Sequence, residues 1–187
     1  MRKILAIAAA ALLLAGCGSS IQFTNFGTPD KSVVGTWSLT EKTSENGGEG
    51  VSFDSYTFNA DGTFTETGYI KMEMRDTLSV TYFDISFQGG GKYGVADGCI
   101  NFDFAPGQAK ATLDRFDMDM GSKYSEKDNS LASSLLKMIL VNPMLKAMKK
   151  TMKSDQIYRI DSVTSKALTI TNTNAADASP KTYTKEK

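Results

Sequence analysis

The feature that most constrains this chain is strict alternation, repeated in short runs. Val33, Gly35, Trp37 and Leu39 alternate with Val34, Thr36, Ser38 and Thr40. A period of two is what a strand shows when one face is buried and the other is wet. In "VSFDSYTFNADGTFTETGYIKMEMR", residues 51–75, two such runs flank Asp61-Gly62, a dipeptide suited to a tight hairpin turn. The second arm sets Phe64, Glu66, Gly68, Ile70, Met72 and Met74 on one face, opposite Thr65, Thr67, Tyr69, Lys71 and Glu73. "TLSVTYFDISF" is a further strand, and its apolar phase slips between Tyr82 and Phe83, which predicts a bulge there. "GKYGVADGCINFDF" reads as a second hairpin turning at Asp97-Gly98, and "AKATLDRFDMDM" as a strand with a slip near Arg115. "QIYRIDSVTSKALTIT" reads as a hairpin turning near Ser165, and "KTYTKEK" closes the chain as a short strand. Sequential hairpins with one polar and one apolar face predict a mainly β protein. The expected form is an up-and-down antiparallel barrel of about eight to ten strands, since closure removes unpaired edges.

One segment breaks the alternation. In "LLKMILVNPMLKAMKKTMK", residues 135–153, the apolar side carries Leu131, Leu135, Met138 and Ile139 before Asn142, then rotates to Met144, Leu145, Met148 and Met152 after Pro143. Asn is a preferred N-cap and Pro a preferred first helical residue. The sequence therefore predicts a helical insertion over residues 130–153 made of two helices, one ending near Val141 and the other starting at Pro143. Lys146, Lys149, Lys150 and Lys153 gather opposite the methionines. The methionine stripe, Met144 and Met148 included, is expected to pack on the barrel mouth as a lid facing any ligand. The alternative lays the second helix on anionic lipid headgroups.

The first residues give a location. Arg2 and Lys3 precede an apolar run from Ile4 to Ala15, too short to span a bilayer comfortably and suited to a secretory signal. Its end, "LAGC", resembles the bacterial lipobox, with Cys17 as the residue that receives lipid. The expected organisation is a signal peptide over 1–16, a lipid anchor and flexible tether over 17–31, and a barrel domain over 32–187. An outer-membrane lipoprotein facing the periplasm is expected ahead of one on the cell surface. The sequence specifies no protein partner. Acidic and basic residues balance at 21 each, so the chain lacks the basic footprint that nucleic acid requires. Cys99 has no second cysteine once Cys17 carries lipid. It reads as a small hydrophobe in a strand, with a reactive thiol as the sharper alternative.

The chain contains no histidine, which removes Ser-His-Asp and Cys-His machinery and His-ligated zinc. "GGGKYG", residues 89–94, matches a dinucleotide fingerprint by letter, but that motif needs a strand before it and a helix after it. "DRFDMDMGSKYSEKD" places Asp117 and Asp119 near a calcium-loop spacing, and the register then fails at Gly121 and Ser122. No catalytic group, cofactor or metal site is expected. Glu66 shares a face with Phe64, Ile70 and Met72, so it points inward if that face lines the barrel. There it either pairs with Arg115 or a lysine, sits at a solvated rim, or orients the polar head of a ligand. Tyr82 and Tyr93 suit a pocket wall or an ordinary core.

Gly35-x-Trp37, "DGTF" at 61–64, "GKYGVADGCINF" at 91–102 and "IDSVTSKALTIT" at 160–171 together resemble the lipocalin-like domain of Bacteroides-type lipoproteins of uncharacterised function. The resemblance covers residues 33–187. It implies that Trp37 lies across the closed end of the barrel beside Gly35, with a basic residue of the last strand packed on the indole; Lys185 is the candidate. The Asp-Tyr pair of classical lipocalins is not evident. The functional expectation is a non-enzymatic envelope lipoprotein binding a small apolar or amphipathic ligand. The alternative is a structural or protein-interaction module with a filled barrel.

Overall fold

The alternating runs become nine strands in the computed structural model, which describes residues 23–45, 48–77, 79–120, 126–152, 156–173 and 179–187. Cys17 and Lys153 lie outside the described residues. The strands are β1 (Gly35–Glu45), β2 (Gly48–Phe58), β3 (Thr63–Arg75), β4 (Val80–Ala96), β5 (Cys99–Phe104), β6 (Lys110–Asp119), β7 (Gln156–Val163), β8 (Ala167–Asn172) and β9 (Lys181–Lys185). Eight of them close an antiparallel ring in chain order, β1-β2-β3-β4-β5-β7-β8-β9, and β9 returns to β1 through Trp37 opposite Lys185. β6 is the extra strand, paired with the first half of β4 while β5 pairs with the second half.

Turn chemistry sets the registers. Gly62 sits at φ 82° between β2 and β3, and Asp97 and Gly98 sit at φ 53° and 74° between β4 and β5. Two consecutive left-handed residues twist a two-residue hairpin the same way as its strands. A bulge near Arg115 is present: Asp84 faces Arg115 and Ile85 faces Leu113, leaving Asp114 as the extra residue. The slip expected between Tyr82 and Phe83 is absent, because β4 pairs without a break there, Tyr82 with Glu73 and Phe83 with Met72. Tyr82 breaks the apolar phase simply because it faces outward, under the Arg115 guanidinium 4.7 Å from its ring centre. Cation–π contact gives an outward aromatic a partner.

The insertion is one helix, not two. This helix, α1, is α-helical over Glu126–Leu136, π-helical over Lys137–Val141 and α-helical again over Asn142–Thr151. Val141 has helical angles of φ −73° and ψ −45° and supplies no side-chain cap, so no helix starts afresh before Pro143. A proline inside a helix lacks a donor and crowds the carbonyl four residues back. The wider π turn just before Pro143 carries the helix through that site, as π-bulges commonly do. The rotation of the apolar face seen in the sequence is real, and it takes place within a continuous helix.

Two cores result. Toward the Asp61-Gly62 and Asp97-Gly98 turns the barrel is filled by rings. Phe58 meets Tyr93 at 4.9 Å, Phe64 meets Phe102 at 4.8 Å and Phe104 at 5.0 Å, all edge to face. Trp37, 0% exposed, belongs to this cluster. Its indole N–H donates to the Val33 carbonyl at 2.7 Å, and Lys185 lies over the ring at 4.8 Å while donating to the Val34 carbonyl at 2.8 Å. Gly35, at φ 130°, is needed beside it, since a Cβ there would sit 2.6 Å from Lys185 Cε. The second core joins α1 to β3, β4 and β6: Val141, Met144 and Met148 pack with Ile70, Phe83, Ile85 and Ala111. Ahead of β1, Thr28 bridges to Val95, and Asn101 Nδ2 donates to the carbonyls of Asn25 and Phe26 at 3.1 and 3.0 Å.

Candidate functional site

Where the two cores meet, the inner barrel face turns polar. Counting back by twos along β2 from Phe58 gives Tyr56 and then Asp54, and counting forward along β3 from Phe64 gives Glu66. Register sets Tyr56 opposite Glu66 and Asp54 opposite Gly68, so the two carboxylates are diagonal neighbours on the inner face. Tyr56 donates to Glu66 Oε1 at 2.9 Å, and Tyr183 of β9 donates to Asp54 Oδ2 at 2.7 Å. Tyr158 of β7 completes the ring of phenols through Phe102, 5.3 Å from its centre and 5.6 Å from that of Tyr56.

Asp54 Oδ1 is shut away from solvent and has no hydrogen-bond partner. Leaving a buried acceptor unmade costs roughly 1 to 3 kcal/mol, more when it is charged. Among the described residues no ion pair reaches either carboxylate. Lys181, whose charge favours ionised Asp54, holds Glu41 at 2.8 Å instead.

Burial pushes the Asp54 carboxyl up to about 6, against the opposing pull of the Tyr183 hydrogen bond. Burial, reinforced by the neighbouring Asp54 charge, pushes Glu66 up to about 8. Burial likewise raises the phenols of Tyr56, Tyr158 and Tyr183. Both carboxyls are thus held above the ordinary range, and Glu66 keeps its proton to higher pH than Asp54. A donor carboxyl beside an acceptor carboxylate can take a group that is cationic or that donates hydrogen bonds, and phenol faces suit a cation.

The helix end forms the roof. A Cβ placed on Gly89 would lie 3.2 Å from Met152 Cε, 3.3 Å from Phe104 and 3.4 Å from Glu66 Oε2. One glycine thus marks where helix end, aromatic floor and acid converge. Gln156 ties the roof to the wall, donating to the Thr151 carbonyl at 3.2 Å while Tyr158 donates to its Oε1 at 2.8 Å.

Of the residues named from sequence, Glu66 stands in this site. Met144 and Met148 are buried in the second core, against Ile70, Phe83, Ile85 and Ala111. Tyr82 is not a wall residue, since it faces outward. Tyr93 lies in the ring-filled core, its hydroxyl donating to the Asn59 carbonyl at 2.9 Å, and takes no part. Among the described residues neither Arg115 nor a lysine pairs with Glu66; Arg115 bonds Asp117 at 2.5 Å on the outside. Asp54, Tyr56, Tyr158 and Tyr183 were missed, although period-two counting from their apolar neighbours reaches all four. Among the described residues no group of acids, cysteines or histidines could hold a metal ion. An open groove of about 380 Å³ lies on the outer face of the sheet between Phe53, Tyr69, Gln88 and Lys110, away from the acids. Neither a family model nor a curated protein sequence matches this chain.

Proposed function

We propose that this chain is an envelope lipoprotein, lipidated at Cys17 and held at the outer membrane facing the periplasm, whose lipocalin-like barrel binds one small amphipathic molecule without catalysis. The polar end of that molecule meets Asp54 and Glu66, and its apolar part lies against the methionines of α1. One observation carries the reading: Asp54 keeps one carboxylate oxygen shut from solvent without a hydrogen-bond partner, beside Glu66, and the Met152 thioether closes over Gly89 next to the Glu66 carboxyl. Met152 is the stopper that must move aside, and thioether side chains repack at small cost. Gly35, Trp37 and Lys185 at the closed end, and the lipobox-like "LAGC", support the family and the anchor.

Mass spectrometry of organic extracts of the purified, non-lipidated protein tests the reading. A stoichiometric co-purifying amphiphile supports it. The second reading, a filled barrel whose outer surface docks on another envelope protein, draws on the rings that pack the closed end; an empty extract, with no uptake of dodecylamine or dodecanol, would favour it. Cys17→Ser should release the protein from membranes, and persistent sedimentation of that variant at high salt would refute the anchor.

A further inference from the structure

The large apolar side chains exposed among the described residues are Leu131 at 62%, Leu135 at 53%, Met138 at 58% and Ile139 at 64%. All four lie on one helix, α1, at the i, i+4, i+7, i+8 spacing of a single stripe. Isolated exposed leucines are ordinary, but a contiguous stripe is a contact surface. The stripe belongs to the first half of α1. The second half buries Met144 and Met148 against the sheet. The two halves therefore face two different environments.

Charge says what the outer environment is. Residues 130–153 contain five lysines and no acid, in a chain that totals 21 basic and 21 acidic residues, so the remainder is net acidic. Lys137, Lys146, Lys149 and Lys150 are exposed. A second copy of the chain docked stripe to stripe would bring two such cationic helices together. An anionic surface neutralises them. Ser130–Thr151 is also long and apolar enough to cross a bilayer by composition alone, with 19% of its apolar window buried in the protein. Crossing is precluded by the methionines that hold its second half to the sheet. An apolar stripe with lysines on a helix fixed at one end lies in the plane of a membrane interface.

We propose that the first half of α1 docks on an anionic phospholipid surface, with Leu131, Leu135, Met138 and Ile139 inserted and the lysines at headgroup level. This contact is independent of acylation at Cys17 and of any ligand in the barrel.

The test uses the non-lipidated chain beginning at residue 18 with vesicles of phosphatidylglycerol and phosphatidylcholine, or of phosphatidylcholine alone. Co-sedimentation with the anionic vesicles, weakening as salt rises, is expected. L135E/I139E should lower that affinity by about tenfold or more while leaving circular dichroism and melting temperature unchanged. Replacing Lys146, Lys149 and Lys150 by Gln should remove most of the salt dependence. Absence of binding to anionic vesicles overturns the proposal, as does binding that L135E/I139E leaves intact. A protein dimer that L135E/I139E converts to monomer, with vesicles ignored, also overturns it and assigns the stripe to a second copy.

Discussion

The two halves of the barrel use the same inner face for opposite ends. Toward the tight turns, Phe58, Phe64, Tyr93, Phe102 and Phe104 interlock edge to face around Trp37, whose N–H is satisfied within the protein. Toward the helix, the equivalent strand positions carry Asp54, Glu66, Gly68 and Gly89, roofed by methionine. Rigid rings with satisfied polar atoms fix a shape. A flexible thioether beside Glu66, with an unsatisfied Asp54 oxygen as its neighbour, leaves one open to change. The difference separates a rigid, ring-filled part from a more adaptable part along the same strands.

The comparison yields graded predictions. Trp37→Ala should cost about 3 to 5 kcal/mol, the range for deleting a fully buried aromatic, as read from urea unfolding; a loss under about 1 kcal/mol would place the indole outside the core. Met148→Ala should cost about 2 kcal/mol, the low end of the Met-to-Ala range, because a helix lying on one face of a sheet can settle into the space. Equal losses at the two positions would erase the distinction between the halves.

Glu66→Gln should change pH dependence more than stability. Both inner carboxyls titrate above their ordinary values, so folding favours their protonated forms. The stability this contributes is full below about pH 4, the ordinary carboxyl range, and is lost as pH rises through about 6 for Asp54 and about 8 for Glu66. The groups facing the pair are the phenols of Tyr56, Tyr158 and Tyr183, with Lys181 and Glu41 beyond Asp54. The melting temperature of the wild type should therefore fall between mildly acidic and mildly alkaline pH, and Glu66→Gln should flatten the alkaline part of that fall. An unchanged slope in the variant would mean that Glu66 is solvated and ordinary. Arg115→Ala, at an exposed ion pair and an outward ring, should cost no more than about 1 kcal/mol.

Much of this contrast was legible in the sequence. Period-two alternation and the Asp-Gly turns located the strands and their hairpins because both signals are local. Lys185 of the last strand lies over the Trp37 indole, beside Gly35. The break in α1 was misread because Asn142-Pro143 is a strong local start signal, whereas the π turn that accommodates Pro143 depends on the helix being held against the sheet. Tyr82 was misassigned because alternation cannot tell an inward aromatic from an outward one with a cationic partner. Asp54 was missed although it is in phase with Tyr56 and Phe58. An acid on an apolar face is easily taken for the end of the face, and only ring closure brings Tyr183 of the last strand to it.

The most direct test is methyl-resolved NMR of the non-lipidated protein, labelled at its methionine methyl groups and titrated with dodecylamine. Progressive shifts of the Met148 and Met152 methyl signals, with the Trp37 indole N–H signal unmoved and with weaker binding in Asp54→Asn, are the predicted result. Shifts confined to the Trp37 end or to the groove beside Phe53 and Tyr69, or no shift at all, would contradict the assignment of recognition to the helix-covered half.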